Sequence, residues 1–200
     1  MLRQRICNSR YPPGVALRQV QIAEDLKVSR TPLREALRLL EREGLVSAKG
    51  GSGVTVASVD LAQMMDAYAM REVLDGLAAS EASQRAGPAS IARLFEIIEC
   101  QQRSVEPWVP DDYTRTNVEF HAVIIAMAGN VFLTRQLPII HMTSQVFTPR
   151  ILLDAGRAVS AIAEHIEIAH AIERGDRQAA EATARKHIRS TIKRLRVLSQ

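Results

Sequence analysis

Aromatic residues are scarce in this chain, with four Phe, three Tyr and one Trp among 200 residues. Strand-rich sandwiches and barrels draw on aromatic and β-branched residues, so the shortage excludes them as the main architecture, while abundant Ala and Leu point to helices. Cysteine is nearly absent. Cys7 and Cys100 form no C-x-x-C pair and no disulfide framework, which fits a reduced, cytoplasmic setting. No apolar run approaches the roughly 20 residues needed to cross a bilayer, and the opening MLRQRICNSR has no apolar signal region. Internal repeats and low-complexity segments are missing as well. A hydrophobic content of 46% and a charged content of 24% then describe an ordinary globular chain. Its length suffices for one large domain or two small ones.

The formal charge of +4 is unevenly spread. Residues 1–57 hold ten Lys and Arg against five Asp and Glu, an excess of +5, whereas the rest holds sixteen against seventeen. A basic first quarter joined to a neutral remainder is the footprint of a nucleic-acid-facing module beside a second domain.

The first quarter reads as helix, helix, turn, helix, hairpin. Leu2 to Ser9 can form a short helix, stopped by Pro12-Pro13-Gly14. Gln19 to Leu26 is a second, and Lys27-Val28 a tight connection. Ser29 is an N-cap for a third helix to about Glu43, with Pro32 in its first turn and Gly44 ending it. "LVSAKGGSGVTVAS" then gives two short strands around a basic, glycine-rich tip. In "VSRTPLREALRLLEREGLV" the helix start carries Ser29, Arg30, Thr31 and Arg34, with leucines further along. That is a helix-turn-helix whose recognition helix presents its N-terminal end to the major groove. Arg pairs bidentately with guanine, and Ser or Thr reaches phosphates or bases. The hairpin serves as a wing in which Gly50 and Gly51 let the backbone approach the minor groove and Lys49 supplies charge.

"YPPGVALRQVQIAEDLKVSRTPLREALRLLEREGLV" followed by "KGGSGVTV" strongly resembles the GntR family of bacterial winged-helix transcription regulators. The resemblance implies that Arg30, Thr31 and Arg34 contact the operator, with Gly50 and Gly51 in the wing. Lys27 departs from the glycine usual in the turn between helices two and three; a left-handed backbone there would strain a lysine modestly. The segment before the first helix is very short, which reads as a truncated start or a minimal domain.

From Asp60 the pattern is helical, with six helices expected at 61–86, 88–104, 112–128, 130–147, 158–173 and 176–198. All five histidines fall here. Asn117 and His121, four apart, share a helix face, and His165 and His187 lie on the last two helices, which a short Gly-Asp turn makes antiparallel neighbours. The four can converge on one ion inside a bundle, or the histidines can simply be hydrogen-bonded polar groups. "REVLDGLAAS", "NVEFHAVIIAMAGN", "EHIEIAHAIERGD" and "ARKHI" resemble the FCD ligand-binding domain of the FadR subfamily, and six helices resemble its shorter, VanR-type branch. The resemblance implies metal ligands at Asn117, His121, His165 and His187, with Asn117 standing where the family has Asp. Nitrogen ligands suit zinc or nickel, and an amide brings no charge to hold the ion. Arg71 matches an arginine of the family's first effector-domain helix, with Asp75 in place of Glu. It is read as a carboxylate clamp or as an ordinary salt bridge to Asp75. His141 and His170 match nothing, and Trp108 reads as packing.

The expected fold is mainly α: an N-terminal winged helix-turn-helix at 1–57 and a C-terminal antiparallel all-α bundle at 61–200 for effector binding and dimerisation. The expected function is a ligand-responsive regulator, a repressor, binding a palindromic operator as a homodimer under the control of a small carboxylate effector, with no membrane partner. The alternative is a metal-dependent helical-bundle enzyme with an accessory DNA-binding domain. Against it, no carboxylate is clearly placed with the three histidines. A ligand-free structural DNA-binding protein is disfavoured because the bundle exceeds what dimerisation needs.

Overall fold

The structure, a computed structural model, describes residues 1–7, 10–49, 53–147 and 154–197. The first part contains α1 (Leu2–Cys7), β1 (Ala16–Arg18), α2 (Gln19–Leu26), α3 (Arg30–Arg42), β2 (Val46–Lys49) and β3 (Gly53–Val56). The three strands form one antiparallel sheet in the order β1-β3-β2, with Ala16 opposite Thr55 and Val46 opposite Val56. Sequence reading found the hairpin but missed β1, a three-residue strand that exists only because β3 offers it a free edge.

Local chemistry sets the element ends. In α3, Leu33, Leu37 and Leu40 are buried at spacings of four and three, so one stripe faces the core and the opposite face stays polar. Gly44, at φ +71°, turns the chain out of that helix into β2. Lys27 closes α2 at φ 53°, ψ 44°, the left-handed conformation in question. For a residue with a Cβ this costs about 1–2 kcal/mol.

The second part contains α4 (Leu61–Arg85), α5 (Pro88–Arg103), α6 (Pro110–Met127), α7 (Val131–Thr134), α8 (Leu137–His141), a π-helical turn (Met142–Phe147), α9 (Ala155–Glu173) and α10 (Arg177–Val197). A capping box opens α4: Asp60 accepts from the Gln63 N–H at 2.8 Å, and the Gln63 side chain accepts from the Asp60 N–H at 3.1 Å. Proline at the first positions of α5 and α6 fits because a helix start needs no N–H. The single helix expected over 130–147 is replaced by two short helices and a π-turn. Pro138 cannot donate to a preceding carbonyl, so the chain restarts at Leu137.

Two hydrophobic cores result. Leu94, Ile97, Phe120, Ile125, Ile168 and Ile172 belong to the core of the bundle. The other core combines Ile22, Leu33, Leu37, Leu45 and Val56 with Met64 and Tyr68 of α4 and Ile188 and Leu195 of α10. The winged helix and the bundle therefore share apolar surface along α4 and α10. Met142 of the π-turn packs there too, so close to Gly44 that a Cβ on that glycine would lie 2.6 Å from the Met142 sulfur.

Candidate functional site

The start of α3 is a bare cationic face. Ser29 is the N-cap residue, yet its side chain caps nothing. Arg30, Thr31 and Arg34 are exposed, and neither arginine has an ion-pair partner among the described residues. Arg38, one turn beyond Arg34, is also exposed and extends the same face; it was not singled out from sequence. By contrast, Arg3, Arg5 and Arg10 are tied to Glu43 and Asp25. Gly50 and Gly51 lie outside the described residues, and Lys49 is described only as the last residue of β2.

In the bundle, His121 of α6, His165 of α9 and His187 of α10 come together, each offering a ring nitrogen within 4.8 Å of the others. All three are buried. Each ring is held at Nδ1. His121 donates to Asp75 at 2.6 Å, His187 to Glu164 at 2.7 Å, and His165 to the Gln101 side-chain oxygen at 2.8 Å. This fixes one tautomer on every ring and leaves Nε2 as the free lone pair, the second-layer pattern that orients imidazoles toward an ion. Nε2 of His165 is buried without a hydrogen-bond partner among the described residues. Phe120 stacks on the His165 ring at 4.1 Å and meets His121 edge-on at 5.7 Å, which locks both orientations. Neutral nitrogen donors of this kind fit zinc or nickel.

Electrostatics agree with that ligand state. Burial lowers the His121 pKa to about 4, although the nearby Asp75 acts to raise it. Burial also pushes His165 well below its usual value, reinforced by His187 and His121, and depresses His187 against the opposing pull of Glu164. All three are neutral at pH 7. Burial alone would raise Glu164, but its bond from His187 and the charge of Arg157 hold it at about 2. Burial would likewise raise Asp75, and Arg71, then His121, outweigh it and keep the carboxylate ionised.

Asn117 lines the same cavity one turn before His121, and its amide has no protein partner among the described residues. Arg71 lines the cavity and forms the salt bridge to Asp75 through two bonds of 3.1 Å. Its remaining amino group donates to Thr143 at 3.2 Å and Ser144 at 3.0 Å of the π-turn. The expectation that no carboxylate accompanies the histidines is corrected. Asp75 and Glu164 do, as acceptors behind the rings. Glu164 reaches His187 across the α9–α10 contact rather than along its own helix, which spacing within one helix cannot reveal. Gln101 had a signal: it continues the buried stripe Leu94, Ile97, Ile98 as a polar residue. Arg157, bonded to Glu164 and Thr191, had none. His170 is exposed beside Glu173, Trp108 packs on Tyr113, and the side chain of His141 lies outside the described residues.

The model of the FCD domain matches residues 66–190, and the model described as bacterial regulatory proteins, gntR family, matches residues 1–56. The chain belongs to the GntR family, with an FCD domain. Among curated relatives of this GntR regulator, the uncharacterized HTH-type transcriptional regulator YdhC of Bacillus subtilis is 28% identical over 189 residues, covering 93% of the chain and 84% of the relative. The probable D-xylose utilization operon transcriptional repressor of Paenarthrobacter nicotinovorans is 26% identical, covering 92% and 80%. Among solved structures, Escherichia coli McbR/YncC superposes with a TM-score of 0.85 at 20% identity, covering 100% of the chain and 95% of that protein. A GntR regulator from Rhodococcus sp. RHA1 gives 0.76 at 22%, covering 97% and 93%. At such identities the structures establish the fold. Family and relatives make the protein a transcription regulator and not an enzyme. Among the described residues no helix is long and apolar enough to cross a membrane.

Proposed function

We propose that this regulator is a cytoplasmic homodimeric repressor whose affinity for a palindromic operator is set by a small organic acid, bound with a zinc or nickel ion in the helical domain. Residues 1–57 are the DNA-binding domain and residues 61–200 the effector-binding and dimerisation domain. The observation that carries the effector site is the set of three buried histidines held at Nδ1, with the Nε2 of His165 left unpartnered. His121, His165 and His187, with Asn117, would hold the ion. It would supply positive charge and an open position for an acidic ligand. Asp75, Gln101 and Glu164 orient the rings, and Arg71 clamps a carboxylate.

Ser29, Arg30, Thr31 and Arg34 read the major groove, with Lys49, Gly50 and Gly51 in the wing. Neither arginine is ion-paired among the described residues, which supports this, since they need break no such pair to reach DNA. A dimer is supported by Met70, Val73 and Leu77, which stand exposed along one side of α4. The sign of regulation follows the relative named as a repressor.

Elemental analysis after zinc supplementation tests the site. Wild type and His170→Ala should carry zinc, His121→Ala none, and Asn117→Asp more. A wild type and an Asn117→Asp variant that both stay free of zinc and nickel would refute it. Arg30→Ala and Arg34→Ala should each weaken operator binding by about 1–3 kcal/mol. Light scattering should give twice the 22.1 kDa chain mass.

A further inference from the structure

Among the described residues, Lys27 alone has a positive φ without being glycine, and it stands in the turn between α2 and α3. Two backbone bonds fix that turn. The Lys27 N–H donates to the Glu24 carbonyl at 3.1 Å, and the Val28 N–H to the Ala23 carbonyl at 3.0 Å. Neither bond uses a side chain, so glycine would make the same turn without strain. The lysine side chain adds nothing to the fold. It is exposed, and it makes no hydrogen bond or ion pair among the described residues. It does not pair with Glu24, the exposed acid three residues before it. Asp25 is already engaged by Arg5, Tyr11 and Arg10.

Backbone strain that serves no contact within the chain points to a contact outside it. The surroundings say which. Residues 27–32 are all exposed, so nothing in the chain covers the turn or the start of α3. Arg30, Arg34 and Arg38 follow Lys27 at spacings of three and four, each exposed and without an ion pair among the described residues. The cationic row of the recognition helix thus begins in the turn, before the helix itself. An ammonium is a compact point charge and lacks the planar fork with which arginine reads a base edge. Its natural target beside a groove is a phosphate.

We propose that Lys27 binds a phosphate of the DNA backbone at the rim of the major groove and so sets how α3 sits in it. This rests on the reading that the start of α3 faces DNA. Lys27 is then a positioning residue for Arg30 and Arg34, and its contact is blind to base sequence.

Fluorescence anisotropy tests this with the full chain and a duplex that the wild type enriches from a random-sequence pool, at about 50 to 200 mM salt. Lys27→Gln keeps the strain and removes the charge, Lys27→Gly removes strain and charge, and Lys27→Arg keeps them. Lys27→Gln and Lys27→Gly should each bind about tenfold weaker. Each should also lower the slope of log affinity against log salt by about 0.9 per chain bound. Lys27→Arg should match wild type in affinity and slope. Lys27→Gly should melt about 2–4 °C higher than wild type, which separates its loss of binding from a loss of folding. An unchanged slope in the two neutral variants, whether or not affinity falls, overturns the proposal. So does a Lys27→Gly protein that melts lower, because the lysine then serves the fold. Either result leaves the recognition-helix reading standing where Arg34→Ala still binds weaker. An Arg34→Ala variant that binds like wild type, or a wild type that enriches no duplex, removes that reading and the role of Lys27 together.

Discussion

Replacing Asp75 by Asn changes one atom's chemistry at the point where the two buried networks of the bundle meet. The carboxylate receives two bonds from Arg71 and one from His121, and Arg71 is 2% exposed. An amide of the same shape carries no charge and has one acceptor oxygen where the carboxylate has two. It therefore leaves the guanidinium as an uncompensated buried cation. Breaking a buried pair in this way costs about 3–5 kcal/mol. For a chain of this length each kcal/mol is worth about 2–4 °C, so melting should fall by roughly 6–20 °C. The His121 ring also loses its orienting acceptor, and losses of this kind typically weaken metal binding about 10- to 100-fold. Differential scanning calorimetry with and without zinc reads both effects, with Asp66→Asn, an exposed position of α4, as the control. Arg71→Met combined with Asp75→Leu should recover most of the lost stability, because no orphaned charge remains. Asp75→Asn melting within two degrees of wild type, roughly 1 kcal/mol or less, would refute the reasoning.

Acid should weaken the metal-free protein before its carboxylates titrate. His121 binds its proton near 6.5 when unfolded and at about 4 when folded, so the unfolded state gains protons first, and urea midpoints should drop steadily from pH 6.5 to 4. This one ring accounts for about 3 kcal/mol of that loss. Gly44→Ala should destabilise by more than 1 kcal/mol, since it meets both a positive φ and the Met142 sulfur; adding Met142→Ala should restore only the steric part in thermal melts. Lys27→Gly should raise stability by about 1 kcal/mol in chemical denaturation, because φ 53° is free of strain only without a Cβ.

The winged helix was legible because its signals are local: an N-cap serine, leucines at helical spacing and a glycine after the last turn. The histidine set was legible for a related reason, since residues four apart on one helix must share a face and the short Gly175-Asp176 connection makes α9 and α10 neighbours. What spacing could not supply were the partners across helices. Asp75, Gln101 and Glu164 reach the rings from α4, α5 and α9, and that convergence depends on how the helices cross. Residues 130–147 misled because their apolar content suits one helix, while a single proline restarts the chain. β1 was invisible because three residues carry no periodicity.

The apolar surface shared along α4 and α10 makes the winged helix and the helical bundle a single material body. In α10, His187 faces the pocket and the adjacent Ile188 sits in the core that also holds Leu33 and Leu37 of the recognition helix. Chimaeras cut at the junction near residue 58 would therefore be poor hybrids. Each half would expose the other's missing wall, and exchange of DNA specificity between relatives would have to carry the matching faces of α4 and α10 along with the winged helix.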